Sequence, residues 1–192
     1  MSTQVSSMLA NTSEVHRWTR KQYDCMVAAG IFYPDVRVEL IDGYIVDMSP
    51  QSSVHAVTVQ LVEEALRLAF PKGYSVRTQM PLALDDMSEP EPDVAVVPGS
   101  PRDHLDDHPT TAVLIVEVAR VSLGIDQSLK KSLYARNGIE DYWIVNLDAS
   151  RVEVYRQPQG DSYRSERRLY RGDTIQPLAQ PQYSIPVTEL LP

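Results

Sequence analysis

Residues 112–121 read AVLIVEVARV, an apolar run interrupted by one glutamate, Glu117, and one arginine, Arg120. A short run that is apolar at nearly every position fits a strand covered on both faces. An ionised carboxylate left unpartnered in such a strand costs several kcal/mol or more, so it is expected to be paired, protonated or bound to a metal. The stretch therefore predicts an interior strand and a chemically special Glu117 together.

Working outward, DYWIVNL at 141–147 has the same near-continuous apolar character and predicts a second interior strand. Between the two, Asp126 can cap a helix running to about Asn137 and closed by Gly138. Upstream, WTRKQYDCMVAAG carries Thr19 and Gln22 in capping-box spacing and Gly30 as a stop, which predicts a helix. VRVELIDGYIVDMSP then places Asp42-Gly43 between two β-rich runs, predicting a hairpin with strands near 36–41 and 44–48. From Val54 to Phe70 the positions Val54, Val57, Leu61, Ala65 and Leu68 recur at helical spacing, so these are expected to form the buried stripe of a helix stopped by Pro71 and Gly73. Strands at 74–80 and 93–97 precede the opening stretch, and 151–157 with 162–171 predict a terminal hairpin around Pro158 and Gly160. The fold class read from this order is α/β (α+β), with a mixed central sheet flanked by helices and additional β-hairpins.

At 192 residues and 43% apolar composition the chain is sized for one domain, expected over 15–192 behind a flexible stretch 1–14. The single cysteine, Cys25, excludes an internal disulfide and is expected to be a buried free thiol, in keeping with a reducing cytoplasm. Neither a signal peptide nor a stretch of the ~20 apolar residues that a membrane span needs is seen, so a soluble cytoplasmic protein is expected. The net charge of -8 opposes a broadly basic nucleic-acid surface. Its distribution is uneven: residues 111–192 hold 10 acidic and 10 basic side chains, with Arg164, Arg167, Arg168 and Arg171 clustered near the end.

Pro92-Asp93 opens the apolar run VAVV, and Glu117 stands in the next long one. Neighbouring strands that each offer a carboxylate can hold a hard divalent cation, since magnesium takes oxygen ligands and few of them from protein. On the following helix, a wheel with Leu129 on the buried side puts Lys130 about 100° away, bordering the buried face, and Lys131 about 200° away, in solvent. The run DHLDDH at 103–108, flanked by Pro101 and Pro109, reads as a solvated loop rather than a zinc site. Neither GxxxxGK[ST] nor GxGxxG occurs, so no glycine loop for nucleotide phosphates is expected.

Asp93 after proline, then Glu117 in an apolar strand, then a lysine, resembles the PD-(D/E)XK nuclease superfamily. More closely, ELIDGYIVDMSP, EPDVAVV, LIVEVA, the segment from Asp126 through Lys130 and Tyr134 to Gly138-Ile139, and DYWIVNLDASRVEVYR resemble the family described as "putative restriction endonuclease" that is abundant in cyanobacteria. The resemblance spans roughly residues 15–160 and implies a restriction-endonuclease-like core. It further implies metal-assisted phosphodiester hydrolysis of DNA with magnesium or manganese, using Asp93 and Glu117 as ligands and the Val118 backbone carbonyl completing the set. Lys130 would serve where such nucleases carry a lysine two residues after the glutamate; that position here is Ala119. A serine-proline pair common after the glutamate strand is replaced by Arg120 and Val121.

Glu39, in VRVELI, is solvated or cross-strand paired by alternation alone, whereas the resemblance marks ELIDG as a signature and makes Glu39 a site residue. Gln79 at a strand end can contact substrate or a metal's water, or simply end the strand. His55, at the start of its helix, can meet a phosphate there or stand as an ordinary exposed histidine. A homodimer is expected, because the chain is small for an enzyme cutting two strands and its hairpins offer edges. Two other readings stay open: a non-catalytic nucleic-acid-binding or assembly module on the same fold, and a nuclease acting on RNA or on branched or damaged DNA.

Overall fold

The computed structural model describes residues 15–32, 36–120 and 122–192. The stretch 1–14, expected to be flexible, and Val121 lie outside the described residues. Helix α1 (Arg20–Ala28) starts at the Thr19–Gln22 capping box, with both reciprocal hydrogen bonds formed. It buries Tyr23 and leaves Cys25 exposed, which corrects the expected burial of the thiol. Two residues along a helix turn a side chain by about 200°, so when Tyr23 faces inward Cys25 must face out.

Strands β1 (Val38–Ile41) and β2 (Tyr44–Asp47) pair as an antiparallel hairpin across the two-residue turn Asp42-Gly43. Both turn residues adopt positive φ, 54° and 75°, as a primed hairpin turn requires. Glycine is needed at 43 for space as well, since a Cβ there would stand 2.7 Å from the Cβ of Arg17. Helix α2 (Ser53–Ala69) is capped by Ser52.

Strands β3 (Tyr74–Thr78), β4 (Val94–Pro98), β5 (Leu114–Ala119), β6 (Asp141–Asn146), β7 (Arg151–Gln159) and β8 (Ser162–Tyr170) form one sheet in chain order. Only β5 and β6 pair in parallel; the other neighbours are antiparallel. Between β5 and β6 runs the helical segment 123–136, termed α3. It consists of Leu123–Ile125, a π-helical turn Asp126–Lys130, and Lys131–Arg136. Short strands β9 (Thr174–Ile175) and β10 (Ile185–Pro186) and a 3₁₀ turn at Val187–Glu189 close the C-terminal end.

The sheet is covered on both faces, which explains why β5 and β6 are buried at every position. One face, including Val116, Val118, Trp143 and Val145, packs under α2 and the C-terminal segment. The other, including Ile115, Ala119, Tyr142 and Ile144, packs under α3. Alternation along β5 puts Glu117 on this second face, beneath α3. Helix α2 buries Val59, Val62, Ala65, Leu66 and Ala69; of the expected stripe only Ala65 is buried, while Val54, Val57 and Leu68 are exposed. The helix carries apolar residues on two sides, and the sheet takes the side through Val62. Among the described residues no helix is long and apolar enough to cross a membrane.

Away from this core, Glu89 is buried, its carboxylate 3.9 Å from Arg20. Burial, helped by Asp24 and Glu91 and opposed by Arg20, pushes its pKa up to about 7. A carboxyl whose folded pKa exceeds the unfolded one favours folding below the unfolded value, and that benefit is lost as pH rises through the folded value. Glu89→Gln, which mimics the protonated form, should match wild type near pH 4.5 and become more stable than it by about 3 kcal/mol at pH 8. Melting temperatures across that range check this; a difference that does not change with pH would contradict it.

Candidate active site

The register of the central strands assembles the site. One step beyond the pair Val94–Val116 lie Asp93 and Glu117, so the residue after Pro92 comes to rest beside the glutamate of the next strand. Each then braces the other's strand: the Asp93 amide donates to Glu117 Oε2 at 3.3 Å, and the Val118 amide donates to Asp93 Oδ2 at 2.8 Å. The remaining oxygen of Glu117 accepts from Lys130 Nζ at 3.1 Å and from the Tyr134 hydroxyl at 2.7 Å. Lys130 Nζ also lies 3.1 Å from Glu39 Oε1, and Glu39 Oε2 accepts the Glu91 amide at 3.0 Å.

Lys130 reaches Glu117 because of the π-helical turn. The Lys131 amide donates five residues back to the Asp126 carbonyl, and this wider turn swings the following residues relative to an α-helical wheel. Leu129, expected inside, is exposed, while Asp126 and Lys130 are both buried. Two contacts hold the turn: the Tyr142 hydroxyl donates to the Asp126 carbonyl at 3.0 Å, and Gln127 donates to the buried Glu153 at 2.6 Å. Lys131, expected in solvent, lies 5.0 Å over the Tyr155 ring.

Glu39 is buried rather than solvated, because β1 is covered on both sides: Val38 and Leu40 pack with Tyr23 on one, Lys130 meets Glu39 on the other. His55 is not an ordinary exposed histidine; its Nε2 lies 3.0 Å from Asp93 Oδ1, the oxygen that also accepts from Gln79 Nε2 at 3.2 Å. Gln79 has φ 52°, a strained position for a non-glycine residue, and its amide is shared between the carbonyls of Pro92 and Asp93. The structure thus brings Glu39, His55, Gln79, Asp93, Glu117 and Lys130 into one cluster.

The expected set omitted two residues. Asp126, read as a cap, is instead buried at the cavity wall, where it accepts from Ser122 Oγ at 2.7 Å. Its signal was a carboxylate one π-turn ahead of Lys130, visible only once the turn type is known. Tyr134 stands one turn after Lys130 and shares its partner.

Electrostatically the cluster holds more negative charge than its lysine can balance. Burial is the main force raising the Glu117 pKa to about 8, with Lys130 opposing and Asp126, Asp93 and Glu39 adding to the rise. Asp126 is raised to about 6, again chiefly by burial against Lys130 and the Ser122 hydrogen bond. For Lys130, burial favours the neutral form but is outweighed by Glu117, Glu39, Asp126 and Asp93, which hold it cationic. At Asp93 burial is outweighed by the His55 hydrogen bond and charge, the Val118 amide and Lys130, so its pKa is lowered. That same hydrogen bond raises His55, against the opposing effect of burial.

A family model for Uma2, described as "Putative restriction endonuclease", matches residues 20–188. The chain belongs to the Uma2 family. Its fold is similar to the crystal structure of "a putative nuclease belonging to DUF820" from Anabaena variabilis ATCC 29413. The two share 15% identity at a TM-score of 0.65, over 82% of this chain and 90% of that one. No match was found among curated proteins.

Restriction-endonuclease-like sites commonly use divalent ions, and the donor set in this Uma2 chain can be tested for one. Among the described residues no three His, Cys, Asp or Glu side chains form a ready-made ligand group. The oxygens of Asp93 and Glu117 already accept protein hydrogen bonds. Against that, the donors are hard oxygens, and six acids, Glu39, Asp47, Glu91, Asp93, Glu117 and Asp126, line one cavity with three cations, Arg37, Arg120 and Lys130. Magnesium draws one or two carboxylates from protein and keeps its waters, so this excess of acid over base fits that ion.

Proposed function

We propose that this Uma2 chain is a magnesium- or manganese-dependent DNA endonuclease centred on Asp93, Glu117 and Lys130. The observation that carries the reading is the placement of Lys130 Nζ 3.1 Å from Glu117. A lysine from α3 thereby meets the glutamate although Ala119 stands at the strand position two residues on.

Asp93 and Glu117, with the Val118 carbonyl, would hold the ion, which supplies a water of lowered pKa and neutralises charge gathering on the phosphate. The protein's own part follows from its protonation states. Lys130 is held cationic between Glu39 and Glu117, so it cannot serve as a base. Its role is to orient the attacking water or to shield the phosphoryl oxygens as the bond to the leaving oxygen breaks. Glu39 positions Lys130. His55 and Gln79 fix Asp93, and His55, in the first turn of α2, would meet a substrate phosphate. A homodimer in the cytoplasm completes the reading, supported by the exposed outer edge of β8 and by a single cysteine without an internal partner.

A second reading, a non-catalytic nucleic-acid-binding module, is favoured by the saturation of Asp93 and Glu117 with protein donors. Metal binding separates the two. Magnesium or manganese at 100 times its dissociation constant should stabilise the wild type by about 2.7 kcal/mol, read as a rise in melting temperature, and should leave Asp93→Ala unmoved. An identical response in both proteins would remove the metal-site reading.

A further inference from the structure

We propose that the substrate of this site is an unpaired nucleic-acid strand, threaded between Arg37 and Arg120, rather than an intact duplex. The inference rests on the phosphodiesterase reading and names its substrate class.

The groups that would act on the strand are sunk below the surface. Side-chain exposure is 13% at Asp93, 7% at Lys130, 6% at Glu39 and 3% at Glu117. They line a cavity of about 200 Å³, smaller than the ~300–1,000 Å³ clefts that hold whole small molecules. One wall is the end of β2 and the loop leading to the Ser52 cap of α2; the opposite wall is made by Arg120, Ser122 and Ile125.

A duplex is a poor fit to such a recess. Its phosphates stand on a stiff convex surface, with a persistence length of about 50 nm, one charge per ~1.7 Å of axis counting both strands. Bringing one of them to the depth of Glu117 would require walls on both sides of the strand to enter grooves of roughly 6 and 12 Å. An unpaired strand has no partner in the way and can bend into the recess.

The charges at the mouth suit such a strand. Arg37, before β1, and Arg120, after β5, line the cavity from different elements and are 51% and 55% exposed. Their partners in the protein are carboxylates, the partly buried Glu91 at 3.4 Å and the exposed Asp148 at 3.2 Å. The Arg120–Asp148 pair, exposed on both sides, is worth about 0–1 kcal/mol, and the Arg37 head is itself open to solvent, so phosphates on either side of the scissile one can take both arginines as partners. The floor is acidic, while the rim carries Arg37 and Arg120 beside the exposed Asp47, so the two arginines grip the strand by its flanks and leave the central phosphate to the ion.

The test is anisotropy with labelled 20-residue oligonucleotides of one sequence, as single-stranded DNA, single-stranded RNA and blunt duplex DNA. The full chain carries Asp93→Asn and is held in magnesium; Glu117→Gln replaces it should that variant not fold. A single strand is expected to bind at least tenfold more tightly than the duplex, and the DNA and RNA arms identify which. Adding Arg37→Gln and Arg120→Gln should weaken single-strand binding about tenfold or more and flatten the log-salt slope by about 0.7 per lost phosphate contact. Duplex binding equal to or tighter than single-strand binding, no binding at all, or no effect of the arginine changes would overturn the inference. Failure of the nuclease reading is separately visible as wild type that binds a strand without cutting it.

Discussion

Asp93→Asn should lower strand cleavage by at least about 10³-fold, near 4 kcal/mol of transition-state stabilisation, with the fold retained. The substitution keeps the shape of the side chain, so the strand-bracing contact from the Val118 amide can persist to the amide oxygen. What it removes is one of the two carboxylates facing each other across β4 and β5 and the partner that holds His55 in place. A small change in melting temperature beside a large loss of rate is the expected pattern. Residual cleavage within tenfold of wild type would remove Asp93 from the reaction.

Lys130→Met separates architecture from chemistry. The lysine lies 3.1 Å from both Glu39 and Glu117, and each of these acids is buried. Removing one partner of a buried pair costs about 3–5 kcal/mol, because the remaining charge is stranded in a poor solvent. A loss of that size should appear in denaturant unfolding at pH 8. It should shrink in mildly acidic solution, since the raised pKa of Glu117 lets that carboxyl take up a proton in the folded state. The double variant Lys130→Met with Glu117→Gln should regain part of the lost stability, as the stranded charge is gone. Cleavage should not return with it. If the double variant cleaved like wild type, Lys130 would be structural only.

Much of this fold is written locally. The unbroken apolar character of 114–119 and 141–146 marks strands covered on both faces, and the parallel β5–β6 pair with α3 crossing between them follows from that. Asp42-Gly43 and the Thr19–Gln22 box are local chemistry, and both form as their residues dictate. The inward face of α2 is not local information. Val54, Val57 and Leu68 make as good a stripe as Val59, Val62 and Leu66, and only the sheet's position decides between them. The π turn is harder still, because nothing in DQSLK distinguishes a turn closed five residues back from one closed four back. That single feature hid Asp126, turned Leu129 outward and brought Lys130 to Glu117. The pairing of Asp93 with Glu117 was legible as two acids at neighbouring strands, whereas their enclosure by Glu39, His55 and Gln79 required three more elements to converge.

The most direct measurement is cleavage of circular single-stranded and supercoiled DNA by the purified chain, with magnesium or manganese and again with chelator. The expected result is strand breaks that need the metal, disappear in Asp93→Asn and Lys130→Met, and appear first on the single-stranded circle. Absence of metal-dependent breaks in either substrate, or breaks made equally by the Asp93→Asn protein, would contradict it.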